Sequence, residues 1–316
     1  MATHAIEIER CTLHGHFSRE LPAILSIAPG DTVYARTLDG GWGLEPPHLD
    51  GSPRRLIEPR DAKLDSGHCL VGPIEVRGAE PGMTLEVRIG AITPGAWGWT
   101  RAGGWKSRVN SRLGLADGAP HLLVWTLDAA RETARDQHGR EVSLQPFLGV
   151  IGMPGDEPGI QSTIPPRVTG CNMDCRELVA GSRLLIPIAV PGALVSFGDG
   201  HAAQGDGEVS GLAIECPMDR VELTFDLIEE PRLTTPIADT PAGWVTLGFH
   251  DTLDEAAAIA LDAMLELMTR THGVSRPDAL ALASVVVDLR VTQIANGVWG
   301  VHAVLPHGAL RGAAGA

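Results

Sequence analysis

The stretch FGDGHAAQGDGEV, residues 197–209, holds three carboxylates, one histidine and four glycines. Carboxylate and imidazole are metal ligands and proton carriers, and glycine leaves the space between them open. Asp199 and His201 are one residue apart. In an extended segment, positions i and i+2 point to the same side, so both can face one ion. Glycines at 198 and 200 keep other side chains out of that approach, and Asp206 and Glu208 repeat the spacing. The alternative is a turn in which Asp199 accepts from backbone N–H groups and His201 satisfies a carbonyl. Glu208 opens a strand-like run whose alternate members Ser210 and Leu212 share its side, which leaves Glu215 opposite, with Val209 and Ala213. Among small apolar neighbours, Glu215 is either a group of raised pKa or a paired structural carboxylate.

Strands must position these groups. The chain has 38 glycines and 23 prolines in 316 residues, about a fifth of the total and spread throughout, the punctuation of short strands joined by tight turns. In TLEVRI (84–89) and VELTFDL (221–227), apolar and polar residues alternate strictly, so each strand has one buried and one wet face. SRLLIPIAV (182–190) is apolar on both faces, which fits a central strand or one beneath a second layer. The texture changes near residue 250. HDTLDEAAAIALDAMLELMTRTHG predicts a helix with a Thr252/Glu255 capping box, a stop at Gly273, and Ala260, Met264, Leu267 and Met268 on one stripe. A second helix begins at Ser275 with Pro277 in its first turn, and VVVDLRVTQI returns to strand. The expectation is a mainly β protein with an α/β C-terminal part. Residues 1–250 form a β-sandwich (jelly-roll-like) body carrying the site, and 251–316 form a smaller helix-helix-strand portion packed on it. The tail RGAAGA is expected to fray.

The bulk composition narrows the partners. A net charge of −14 with 25 dispersed basic residues speaks against nucleic acid and favours a small neutral or cationic molecule. No run of about 18 apolar residues predicts a membrane span, and the charged start MATHAIEIER predicts a cytoplasmic protein. Five scattered cysteines predict reduced thiols. Glycine-rich sandwich edges and seven tryptophans predict a homo-oligomer, a dimer or higher. Trp42, Trp97 and Trp99 are rings amid flexible backbone that can wall a pocket or pack sheets together.

Five stretches resemble the acetamidase/formamidase family: GPIEVRGAEPGMTLEVRI (72–89), AWGWT (96–100), PFLGVIGMPGDEPGIQSTIPPRVTGCNMD (146–174), the glycine-rich stretch above, and DLRVTQIANGVWGVHAVLP (288–306). The resemblance runs in order from about residue 20 to 306. The resemblance implies a β-sandwich body with an α/β portion. It also implies hydrolysis of a small neutral carboxamide, formamide- or acetamide-like, to carboxylic acid and ammonia. Some relatives instead open bicyclic γ-lactams, and a non-catalytic binding protein on the same scaffold is the remaining reading. A divalent metal is implied, zinc first and calcium or another divalent ion as alternatives, with Asp199, His201 and Asp174 as ligands and a metal-activated water as nucleophile. Asp174 is alternatively a helix N-cap or Asx-turn residue. Glu208 is cast as acid/base, with Glu215 a second candidate, and Asn172 as a group that orients the substrate amide. Two departures from the family, Cys171 in place of glycine in GCNMD and His68–Cys69 in GHCLVGP, point to an altered pocket wall and another substrate. Cys171 has no base beside it in sequence to make a thiolate nucleophile.

Overall fold

The computed structural model describes residues 1–229 and 232–311; all but the first residue of the RGAAGA tail lie outside this range. The structure is mostly β, with several sheets and two helices near its C-terminal end. The largest sheet has nine strands in the order Thr3–Ile6, Thr32–Thr37, Met218–Ile228, Thr84–Pro94, Arg183–Pro187, Ile237–Thr240, Gly243–His250, Trp299–Leu305 and Asp288–Gln293. At its centre, Met218–Ile228 and Thr84–Pro94 pair antiparallel, Phe225 opposite Val87 and Leu227 opposite Leu85. The alternating residues Leu85, Val87, Ile89, Val221, Leu223 and Phe225 are buried, each worth roughly 1.5–3 kcal/mol on leaving water. Glu86 departs from the alternation: it is buried, and Arg88 and Arg183 pair with it on the sheet surface.

A seven-stranded sheet faces the first across a shared core. Val195–His201 runs within it between Phe147–Gly152 and Leu70–Val76. Val71, Ile74, Leu148, Ile151, Val195 and Phe197 from this sheet join Val33, Leu85, Val87, Leu223 and Phe225 from the other in one apolar cluster, so the body is a two-layer sandwich. A four-stranded sheet made of Trp97–Ala102, His121–Asp128, Thr133–Asp136 and Glu141–Ser143 is tied to it at one residue, Glu215. The Glu215 backbone exchanges two 2.9 Å hydrogen bonds with Trp99, and Glu215 bridges to His201 on the other side.

The double-faced strand Arg183–Pro187 is both central and covered. Leu184 and Ile186 enter the sandwich core, while Leu185 packs under the helices. The long helix Leu253–His272 begins with the Thr252 hydroxyl accepting from the Glu255 N–H and ends at left-handed Gly273. Ala260, Met264, Leu267 and Met268 face Leu185, Ile237 and Val301 of the large sheet. The helix Arg276–Val286 runs further than the strand-like VVV suggested: Val285 and Val286 are its last turn, and the strand starts at Asp288. Residues 251–311 thus supply two helices and two strands, and those strands complete the nine-stranded sheet.

Candidate active site

A cavity of about 260 Å³ lies where the sheets and loops converge, and Asn172, Asp174, Asp199, His201, Glu208 and Glu215 all line it. The structure therefore brings together every residue singled out above for catalysis or ligation. His201 is at the centre. Its Nδ1 is 2.9 Å from Gln204 Oε1, an oxygen that can only accept, so Nδ1 carries the hydrogen. Nε2 is then left facing Asp199 Oδ2 at 3.5 Å and Glu215 Oε1 at 3.4 Å. An imidazole nitrogen between two carboxylates needs a positive charge there, either its own proton or a cation. Phe147 packs edge-on against the ring at 5.1 Å and fixes its plane.

Each acid arrives by a different route. Asp199 lies in the strand Val195–His201, yet its φ is 59°. Asp174 (φ 49°) follows the short strand Gly170–Asn172, its N–H bonded to the Gly149 carbonyl. Glu208 (φ 42°) starts a turn closed by the Gly211 N–H on its carbonyl. Trp42, also lining the cavity, has φ 65°. Among the described residues, four of the eight non-glycine residues with positive φ thus surround one cavity. Backbone strain of roughly 1–3 kcal/mol per residue persists where the surroundings over-determine it, and it gathers at functional sites.

Two expectations about this segment are corrected. Residues 208–215 do not form a strand that would place Glu208 and Glu215 on opposite faces; the turn at 208–211 re-aims the chain, and both carboxylates come within reach of His201. Gly198 and Gly200 do not serve to open the ion approach. A Cβ at 198 would lie 2.6 Å from the Cys69 carbonyl oxygen, and one at 200 would lie 2.6 Å from that of Cys216, so these glycines permit close backbone packing. The glycines that open the site are others. A Cβ on Gly149 would lie 2.6 Å from Asp174 Oδ1, 2.7 Å from Asp199 Oδ2 and 2.8 Å from His201 Cε1, and one on Gly40 would collide with Asp199 Oδ1.

The electrostatics follow from crowding acids away from water. Burial, reinforced by Asp174, pushes the Glu208 carboxyl well above the usual range. Burial likewise raises Asp174, to about 7, and raises Glu215. Asp199 stays low because His68 and His201 outweigh its burial. Burial disfavours a charged His201, but Glu215 and Asp199 outweigh it and raise the imidazole well above 6.5.

The donor set fits a divalent cation. Asp174, Asp199 and His201 each present a ligand atom within 4.8 Å of the others, and His201, Glu208 and Glu215 make a second trio. Asp174 Oδ1 is buried without a hydrogen-bond partner, while its Oδ2 accepts from Asn296 Nδ2 at 2.6 Å. Gln204 and Asn296 thus orient an imidazole and a carboxylate from behind, as outer-shell groups do around metal ligands. Gly149 leaves free the space beside the Asp174 and Asp199 oxygens and the edge of the His201 ring.

Gly149, Gln204 and Asn296 were not singled out in the sequence. Gln204 sits inside the glycine-rich stretch, three residues from His201. Asn296 reaches Asp174 from 122 residues away, in a turn held by Gln293 Oε1, which accepts from the Ala295 and Asn296 N–H groups. The same C-terminal strand braces Glu208, through hydrogen bonds between Gly207 and both Thr292 and Ile294. Asp206 does not join the cluster; it lines a neighbouring cavity with Arg176. Trp42, Trp99 and His68 line the site cavity, and Trp97 does not. Cys171 also lies outside it. Its thiol donates to the Met153 carbonyl, and burial pushes it up, which disfavours the thiolate a nucleophile needs.

Fold and site together describe a β-sandwich protein with a buried acid–histidine centre. That architecture matches solved acetamidases: a predicted acetamidase/formamidase of Thermoanaerobacter tengcongensis superposes with a TM-score of 0.82 at 25% identity, covering 96% of this chain and 95% of that one. The chain belongs to the acetamidase/formamidase family, whose model matches residues 2–160 and 158–242. A putative formamidase of Schizosaccharomyces pombe is 28% identical over 253 residues, 64% of this chain and 60% of that protein, so the match spans about three fifths of that relative's length. A γ-lactamase of Delftia acidovorans, 20% identical with a TM-score of 0.64, shares the fold.

Proposed function

We propose that this chain hydrolyses a small carboxamide to the carboxylic acid and ammonia in the Asp174–Asp199–His201–Glu208–Glu215 cavity. One observation carries the reading. Among the described residues, six buried side-chain polar atoms lack a hydrogen-bond partner, and four of them line this cavity: Arg60 Nε, Asn172 Oδ1, Asp174 Oδ1 and Glu208 Oε2. Buried polar atoms are normally paired, so such a concentration marks where a polar ligand completes the bonding. The relatives named above as formamidase and acetamidase supply the substrate class.

The chemistry adds water across the C–N bond, so a proton must leave the water and reach the departing nitrogen. Glu208 suits that transfer. Its raised proton affinity lets it protonate nitrogen, and its carboxylate, regenerated as ammonia leaves, takes the proton of the next water. Asn172 donates from Nδ2 to the Ile164 carbonyl, which leaves Oδ1 to accept a substrate N–H. A divalent cation, when bound by Asp174, Asp199 and His201 with Glu215 beside them, would polarise the carbonyl and bring the pKa of solvent to near neutrality. One imidazole with carboxylates favours zinc over calcium. Trp42 and Trp99 wall the cavity and limit bulk water.

Ammonia release from formamide, acetamide and propionamide, and formation of the ring-opened amino acid from a bicyclic γ-lactam, measured with metal-replete protein, test the proposal. His201→Ala is expected to lose stoichiometric metal and activity together. Silence across the whole panel overturns the reading.

A further inference from the structure

We infer that the substrate carries a carboxylate at the end remote from the amide, and that Arg60 binds it. The inference rests on the amide-hydrolysis reading above and deepens it. Among the described residues, Arg60 is the only lysine or arginine lining the cavity. Nearby cations are consumed by acids: Arg54 pairs with the buried Asp39 at 2.6 Å, and Arg10 pairs with Asp65. Arg60 has no ion pair among the described residues. Its one hydrogen bond is a long contact of 3.4 Å from Nη2 to the Asp65 backbone carbonyl, and its Nε is buried without a partner. The guanidinium is held over the Trp42 ring, 5.3 Å from its centroid, with Arg10 at the same distance from that ring. Trp42 is itself fixed by a 2.9 Å hydrogen bond from Nε1 to the Gly67 carbonyl and by its strained backbone. An arginine positioned on a rigid ring, facing a cavity and owed hydrogen bonds, is built for a planar anion such as a carboxylate.

Size agrees. Water takes up roughly 30 Å³ in the liquid, so a cavity of about 260 Å³ is only partly filled by a one- or two-carbon amide. A half-amide of a short dicarboxylic acid spans the remainder, its amide at the acids and His201 and its carboxylate at Arg60. Among the described residues lining the cavity, Arg60 is the lysine or arginine available to an anionic end of the substrate, opposite the acid cluster around His201.

The test compares kcat/KM for succinamate with that for butyramide, its uncharged counterpart, in metal-replete protein. Succinamate is expected to be preferred by about tenfold to a hundredfold, the range one charged hydrogen-bonding pair supplies. Arg60→Gln should collapse the ratio toward one through a higher KM for succinamate, and Arg60→Lys should retain part of it. A ratio at or below one in the parent protein, or unchanged in Arg60→Gln, overturns the inference. Calorimetric binding of succinate, butyrate and acetate separates this from the hydrolysis reading. Succinate binding that depends on Arg60 without turnover of any amide keeps the anion site and removes the activity. Turnover of neutral amides with succinate bound no better than butyrate does the reverse. If acetate gains as much from Arg60 as succinate does, the guanidinium serves the product acid and the inference falls.

Discussion

A carboxyl group without water around it and with other acids beside it keeps its proton, and Glu208 is in that position. Replacing it with glutamine keeps size and hydrogen-bonding shape and removes the transferable proton. Glu208→Gln is therefore expected to lower kcat by about a hundredfold to ten-thousandfold, with metal content retained. Steady-state ammonia release alongside elemental analysis checks it, and activity within a few-fold of the parent would remove Glu208 from the reaction. Asn172 makes a different contribution. Its amide is anchored by Nδ2, so Oδ1 meets substrate in the ground state as well as later. Asn172→Ala is expected to raise KM by about tenfold, as loss of one hydrogen bond does, with a smaller effect on kcat; a kcat loss at unchanged KM would refute that role.

At the scale of elements, the decisive contact is between Phe147–Gly152 and Val195–His201, where Leu148 pairs with Gly200 and Val150 with Gly198. Glycines on the two strands do opposite work. Gly149→Ala places a methyl group among the Asp174, Asp199 and His201 atoms, so we expect loss of metal and at least a hundredfold loss of activity with a small change in urea midpoint. Gly200→Ala forces the strand away from the Cys216 carbonyl and the Met218 side chain, so we expect about 1–3 kcal/mol of destabilisation. Equal metal content in Gly149→Ala and the parent would contradict the assignment of that space. The sequence made the strands and helices readable because alternation and capping are local patterns: Leu85, Val87 and Ile89, or Thr252 and Gly273, declare themselves within one element. Asp199 and His201 were readable for the same reason. Glu215 was misplaced because left-handed Glu208 and Gly211 break the period-two count between it and the glycine-rich stretch. Gly149 and Asn296 were silent because their roles exist only after strands distant in sequence meet.

For the whole molecule, two histidines outside the site make folding sensitive to acid. His14 is buried with Nδ1 2.7 Å from the His16 carbonyl and Nε2 2.9 Å from the Ser196 hydroxyl. His302 lies in a strand under the helices, its Nδ1 2.7 Å from the Thr292 hydroxyl and its Nε2 without a partner. Burial lowers each pKa from 6.5 to about 4. The folded values are below the unfolded one, so the unfolded chain takes up protons first as pH falls. Above pH 6.5 both rings are neutral in either state and full stability is present; it is lost progressively between 6.5 and 4 and levels off below. Each ring accounts for on the order of 3 kcal/mol over that window. Asp174, Glu208 and Glu215 titrate too, with raised values that act in the opposite sense, so the comparison is made between parent and variant at each pH. Urea midpoints of His14→Gln and His302→Gln should fall less steeply than the parent's from pH 7 to pH 4.5, and the double variant least. Parallel curves for all four proteins would mean that neither ring binds protons differently in the folded and unfolded chain, and would remove both histidines as the source of acid sensitivity.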